Sequence, residues 1–243
     1  MKILVYTAAS PEYAPLAAIT DAGKSDYCAR HGYEFASTIM DAEKYPHKHL
    51  GFGKVAEVLN LIEHPQADWI FWTGSDVQIT NPDLRLESII DYAPRDTEFI
   101  IANDSVMWGA DSFLIKRGED TRIYLKAVLG CRGMVLRYGL AEQEIMWNLR
   151  GMIKAHEVPQ RILNAYFYEL RADLAGYTPD HSQRVKARVD LLGNDGQWQP
   201  GDFLIHLTPC NLAKKIELAT LMAESMPDYR FDALQRIAEA LQR

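Results

Sequence analysis

The stretch FWTGSDVQITNP, residues 71–82, decides how the rest of the chain is read. It continues the run WIFWT (69–73), which is apolar nearly throughout. That pattern belongs to a strand covered on both faces, not to one alternating between core and water. The strand then meets Gly74-Ser75-Asp76, and Asn81-Pro82 supplies a turn signal. A carboxylate placed there has two readings. It can cap the turn where a strand ends. Alternatively it can grip a cation, because Gly74 lets an ion approach without a side chain in the way.

Working outward, KILVYT (2–7) reads as a first strand, with Ser10-Pro11 as a helix-start signal. The helix that follows puts Leu16, Ile19, Gly23 and Tyr27 on one stripe and stops at His31-Gly32. YEFAS (33–37) is a second strand, and residues 41–53, with His47 and His49, read as a loop. Val55, Val58, Leu59 and Ile62 follow helical spacing over 54–64, and Pro65 ends that helix. EFIIA (98–102) and SFLIK (112–116) are buried strands; 121–129 and 141–154 are helices, the latter with Ile145, Met146, Leu149 and Ile153 inward. The pattern weakens from 166 to 201, returns in DFLIH (202–206), and ends in two amphipathic helices. Strands alternating with helices predict one α/β domain with a mostly parallel central sheet. Ligands in such sheets bind beyond the carboxyl ends of the strands, which draws Thr7, Asp76 and His206 toward one crevice.

Composition narrows the functional classes. The 243 residues are 48% hydrophobic and 24% charged, enough apolar material for a sizeable core. A net charge of −7 argues against a nucleic-acid or anionic-membrane surface, although a local basic pocket for a phosphate remains compatible with it. Cys28, Cys131 and Cys210 have neither zinc nor redox spacing, so reduced thiols in a cytoplasmic setting are expected. The N-terminus lacks the apolar region of a signal peptide, and no run of 18 apolar residues marks a membrane span.

Four places could carry chemistry. Asp76 is one. His206, ending an apolar strand, is a metal ligand or a hydrogen-bonded structural residue. Glu142-Gln143-Glu144 opens a helix, where the dipole favours carboxylates. Successive helical residues are about 100° apart, so at most two of the three can face one reacting atom. Lys54 begins its helix, where that dipole disfavours an ammonium, so it either serves an anion such as a diphosphate or is simply solvated.

Taken in order, YCARHGYEF (27–35), FGKVAEVLNLIEHPQADWIFW (52–72), GSDVQITNP (74–82), FIIANDS (99–105), SFLIK (112–116), EQE (142–144), VPQRILNAY (158–166) and PGDFLIHLTPC (200–210) resemble one family. It is the galactosyl/xylosyl/mannosyl transferase family that includes fungal α-mannan galactosyltransferases and plant xyloglucan xylosyltransferases. The resemblance implies a GT-A fold over 1–243, with a nucleotide-binding half to about residue 110 and an acceptor half beyond it. It implies Mn2+- or Mg2+-dependent, retaining transfer of a hexose or pentose from a UDP- or GDP-sugar to a saccharide. Asp76 then matches the second aspartate of the family's Asp-x-Asp and His206 the late metal ligand. Gln143, with Glu142, matches the group facing the donor sugar, and Thr7, Lys54, Ser75, Asp76, Asp104 and Asp111 line the donor site. Tyr166, Tyr168 and Trp198 are candidates to stack on the acceptor, or to pack loops onto the core.

The departures are specific. Gly74 stands where the first aspartate of Asp-x-Asp is expected, and Gly109-Ala110-Asp111 replaces the family's Asn-x-Gly. Pro209-Cys210 replaces its Gly-Cys, and no membrane anchor of the family's kind is expected within these 243 residues. A non-catalytic nucleotide-sugar or carbohydrate binder is the alternative that the loss at position 74 leaves open.

Overall fold

The computed structural model describes residues 1–45, 49–63, 67–103, 107–131, 141–166, 196, 198–199, 201–208 and 210–225. Its strands are β1 (Ile3–Ala9), β2 (Glu34–Ile39), β3 (Trp69–Thr73), β4 (Val77–Ile79), β5 (Phe99–Asn103), β6 (Trp108–Lys116), β7 (Ala155–Pro159) and β8 (Leu204–His206). Its helices are α1 (Ala14–His31), α2 (Leu50–Glu63), α3 (Leu86–Tyr92), α4 (Glu119–Gly130), α5 (Ala141–Asn148), α6 (Gln160–Leu163) and α7 (Leu212–Ser225).

The six-stranded sheet has the order β2-β1-β3-β6-β5-β7. β1 runs parallel to β2 and β3, and β5 parallel to β7, while β6 is antiparallel to both its neighbours. The expected mostly parallel α/β sheet is therefore present with one reversed strand at its centre. The apolar runs are explained by burial on both faces. In β3, Ile70 and Trp72 enter one cluster with Val55, Val58, Leu125 and Ile145 of the helices. Trp69 and Phe71 enter the other, with Tyr27, Leu86 and Ile89. β1, β5 and β6 divide the same way, Leu4 from Val5, Phe99 from Ile100, Phe113 from Leu114. The side-chain period of two thus fills two cores at once.

Several boundaries differ from the expectation. Residues 41–53 hold a 3-10 turn at Ala42–Lys44 and the start of α2 at Leu50, so they are not all loop. The helix expected over 141–154 stops at Asn148; a 3-10 turn follows at Arg150–Met152 and β7 begins at Ala155. Leu149 and Ile153 still pack into the core, which kept the helical spacing legible after the helix had ended. The short strands β4 and β8 form a separate antiparallel pair. The last expected helix lies outside the described residues.

α1 ends as its sequence predicts. Gly32 takes φ 73° and ψ 28°, and its N–H closes on the Cys28 carbonyl. Nothing lies within 4 Å of the place a Cβ would occupy there, so backbone strain is the only penalty for a side chain. Gly32→Ala is expected to lower stability by about 1 kcal/mol; urea unfolding at constant m-value measures it.

Candidate functional site

The turn after β3 is held by backbone on every side. Gly74 N–H donates to the Asp111 carbonyl at 2.8 Å, Val77 N–H to the Gly74 carbonyl at 3.2 Å, and Leu207 N–H to the Asp76 carbonyl at 2.9 Å. α1 adds two side chains from below. The Lys24 ammonium donates to the Gly74 carbonyl at 2.9 Å, and the Thr20 hydroxyl to the Ser75 carbonyl at 2.8 Å. Leu16, Thr20, Lys24 and Tyr27 are the buried face of α1, so a polar pair sits inside an otherwise apolar stripe. Burial pushes the Lys24 ammonium down to about 8, with Asp21 and Asp76 resisting.

β4 and β8 bring two distant residues together. Val77 and His206 are direct partners in that ladder, so Asp76, one residue earlier, meets the end of β8. His206 Nε2 lies 3.4 Å from Asp76 Oδ2. Its Nδ1 lies 3.1 Å from Asn164 Oδ1 and 3.6 Å from Asp111 Oδ2. Burial works against charge on the imidazole, but Asp111 and Asp76 outweigh it and raise its pKa. Asp76 mirrors this: burial opposes its charge, while His206 and Lys215 hold it well below the usual carboxylate range.

Lys215 of α7 donates to Asp76 Oδ2 at 2.5 Å. It is 5% exposed and lies at the head of the helical stripe Lys215, Leu218, Ala219, Met222, all buried. Across the cleft, Lys54 pairs with Glu142 Oε1 at 2.8 Å and donates to the Ala110 carbonyl at 2.8 Å. Asp111 is aimed by a bulge. The β5–β6 register passes from Ile101↔Phe113 directly to Ala102↔Gly109, so residues 110–112 lose their β5 partners.

Lys54, Asp76, Asp111 and Glu142 border a cleft of about 240 Å³, whose walls also include Ser10, Tyr13 and Ser75. A larger hollow of about 520 Å³ lies between α3, α6 and β7, walled by Leu84, Ile89, Val158, Ile162 and Phe203. The smaller one is the functional candidate, because charged groups converge on it with shifted titration.

Of the expected site residues, Lys54, Ser75, Asp76, Asp111 and Glu142 line this cleft, and His206 touches Asp76 behind it. Gln143 is half-buried and outside the lining; Glu142 occupies the wall instead. Thr7 is buried and accepts from Lys24 at 3.4 Å, leaving Ala8 and Ser10 as the cleft residues of that strand end. Tyr166 packs on the His206 ring at 5.2 Å between centroids, and its hydroxyl accepts from Asn164. Trp198 is 4% exposed and donates from Nε1 to the Thr80 hydroxyl. Neither ring lines the cleft; both support the β4–β8 pair. Asp104 and Tyr168 lie outside the described residues.

The expected Mn2+ or Mg2+ can be tested against this donor set. A hard divalent ion needs several oxygens converging on one point. Here the two nitrogens of His206 face different carboxylates, Asp76 and Asp111, so the three groups diverge around the ring. The Asp76 oxygen nearest Nε2 is also the one bonded to Lys215. Gly74 contributes no carboxylate, and a Cβ there would come within 3.0 Å of Asp76 Oδ1. Among the described residues no group of three or more His, Cys, Asp or Glu side chains is arranged to hold a metal. The residues in this arrangement do not fit a divalent ion.

Sheet order and site position together define a GT-A fold. A glycosyltransferase involved in the glycosylation of the major capsid of PBCV-1 superposes with a TM-score of 0.68 at 16% identity, covering 91% of this chain and all of that one. GlyE of Streptococcus pneumoniae does so with a TM-score of 0.54 at 9% identity, covering 100% of this chain and 66% of that one. In sequence, the profile of the galactosyl transferase GMA12/MNN10 family matches residues 7–93, which carry Lys54 and the Gly74-Ser75-Asp76 turn. The chain is 29% identical over 132 residues to an uncharacterized α-1,2-galactosyltransferase of Schizosaccharomyces pombe. It is 27% identical over 134 residues to the probable α-1,6-mannosyltransferase MNN10 of Saccharomyces cerevisiae. Those matches cover 40% and 42% of this chain and about a third of each relative, 35% and 33%. The resemblance read from the sequence stands. No helix among the described residues is long and apolar enough to cross a membrane.

Lys24 gives a pH test of the buried turn. Its folded pKa of about 8 lies below the ordinary 10.5, so between those values the unfolded chain binds more protons. Stability from this group therefore rises with pH across that window, by about 3 kcal/mol in total. In Lys24→Met the wild-type-minus-variant difference should lose this slope; denaturant unfolding from pH 7.5 to 10 measures it.

Proposed function

We propose that this chain is a glycosyltransferase that moves a hexose or pentose from a UDP- or GDP-sugar to a saccharide acceptor, with retention at the anomeric carbon. The observation that carries the reading is the convergence of Asp76, Asp111, Glu142 and Lys54, from segments far apart in sequence, on one cleft at the strand ends, with His206 against Asp76 behind it. The family profile over 7–93 and the relatives' names support the same chemistry.

In the reaction, the bond from the anomeric carbon to the β-phosphate oxygen breaks, and its electron pair stays on the diphosphate. The acceptor hydroxyl oxygen forms the new bond, and its proton leaves to the departing phosphate. Rate depends on stabilising charge that develops on the leaving group, for which fixed cations in a dry cleft are suited. Lys54 supplies one such cation on the cleft wall. Glu142, facing the cleft where Gln143 does not, is assigned to the donor sugar, and Asp111 is aimed by its bulge at the same region. Mn2+ or Mg2+ is left out of this proposal because the donor set does not fit it.

The test is a thermal-shift panel of UDP- and GDP-sugars, followed by NMR of the anomeric signal when the best donor is incubated with candidate saccharides. Asp111→Asn and Glu142→Gln should each lower kcat/KM by about 100-fold or more while the fold melts as before. Failure of every nucleotide sugar to shift the melting temperature would overturn the reading. Binding with no free sugar released to water would favour the non-catalytic alternative.

A further inference from the structure

We infer that the ammonium of Lys215, seated on Asp76, takes the place at the donor diphosphate that a divalent metal would otherwise fill. This rests on the transferase reading above.

Three observations carry it. The first is position. Asp76 lines the cleft, and Lys215 donates to its Oδ2 at 2.5 Å, the oxygen that also faces His206. An ion bridging Asp76 and His206 would have to displace that ammonium. The second is the cost of putting a lysine there. Lys215 heads the stripe completed by Leu218, Ala219 and Met222, which pack with Leu16 of α1 in one apolar cluster. Burying an ammonium at an apolar position is unfavourable unless a charge partner holds it. Its Nζ also sits 5.4 Å from the centre of the Tyr13 ring, and Tyr13 is itself a wall of the cleft. The lysine is thus fixed by packing on one side and meets two walls of the cleft, Asp76 and Tyr13, on the other.

The third is charge balance. The family pattern carries an aspartate where this chain has Gly74. A glycine there removes one negative charge, and an ammonium at position 215 adds one positive charge. Relative to a site with a carboxylate at 74 and a neutral side chain at 215, the cleft is more positive by two charges. That is the charge of one divalent ion. A glycine at 74 and a lysine at 215 shift the charge of the cleft in the same sense. An ammonium is a compact point charge suited to phosphate, and it needs no set of converging oxygens.

The experiment is calorimetric titration of the intact chain with UDP and with GDP, once in EDTA and once in Mn2+. The affinity for the preferred nucleotide should agree within about threefold between the two conditions. Lys215→Met should weaken it by about tenfold or more, and Lys215→Arg, which keeps the charge, should stay within about threefold of wild type. A structural role for Lys215 would not predict insensitivity of the wild type to EDTA, and that arm needs no variant to fold. A loss of about 100-fold in EDTA restored by Mn2+ would overturn the inference. So would a folded Lys215→Met protein that binds as wild type does. Absence of nucleotide binding in both conditions would instead remove the transferase reading itself.

Discussion

The ion pair of Asp76 with Lys215, backed by His206, ties the described parts of the chain to one another. A carboxylate taken out of water is costly unless its partners are rigid and well placed. Each partner here comes from a different element. β8 brings His206, α7 brings Lys215, and β6 accepts the Gly74 N–H through the Asp111 carbonyl. α1 fixes the turn itself, through Thr20 and Lys24 on two successive carbonyls. Removing the carboxylate would take from the His206 ring and the Lys215 ammonium the acceptor they share. β8, α7 and the turn after β3 would lose that shared contact at the same point.

The rest of the architecture follows from keeping that point accessible. With helices packed on both faces of the sheet, the openings lie at the strand ends. Rigid strands bring the chain to this edge, and irregular backbone does the aiming. The Gly74 turn lifts Asp76, and the bulge over residues 110–112 re-aims Asp111. Gly51 in the first turn of α2 has the same character. A Cβ there would collide with the Glu142 carboxylate, so the place of that carboxylate beside Lys54 depends on a missing side chain.

Most of the sheet was legible because both-face burial writes itself as unbroken apolar runs, as in β3 and β5. Periodicity also found α2 and α4. It misjudged the end of α5, since Leu149 and Ile153 remain core residues after the backbone has left the helix. β8 was legible as the strand DFLIH, but β4 is three residues long, too short for any period to register. Their pairing is what unites Asp76 with His206, two positions 130 residues apart that spacing could not connect. Two of the three buried lysines among the described residues, Lys24 and Lys215, were missed for another reason. Each sits on an inward stripe, Lys24 between Thr20 and Tyr27, Lys215 ahead of Leu218, and the signal was a charge at an apolar position.

Those two lysines look alike in the sequence and differ in what the fold asks of them. Lys24 has a backbone carbonyl and two hydroxyls as its nearest acceptors, with Asp21 at 3.5 Å. Neutral acceptors compensate an ammonium poorly, so burial prevails and its pKa falls to about 8. Its work is mechanical: it pins the Gly74 carbonyl, and a neutral amine can donate that hydrogen bond as well. Lys215 is set against an ionised carboxylate, so its charge is the feature being held in place. An ammonium kept for its hydrogen bond belongs under a turn, whereas one kept for its charge belongs where an anion arrives.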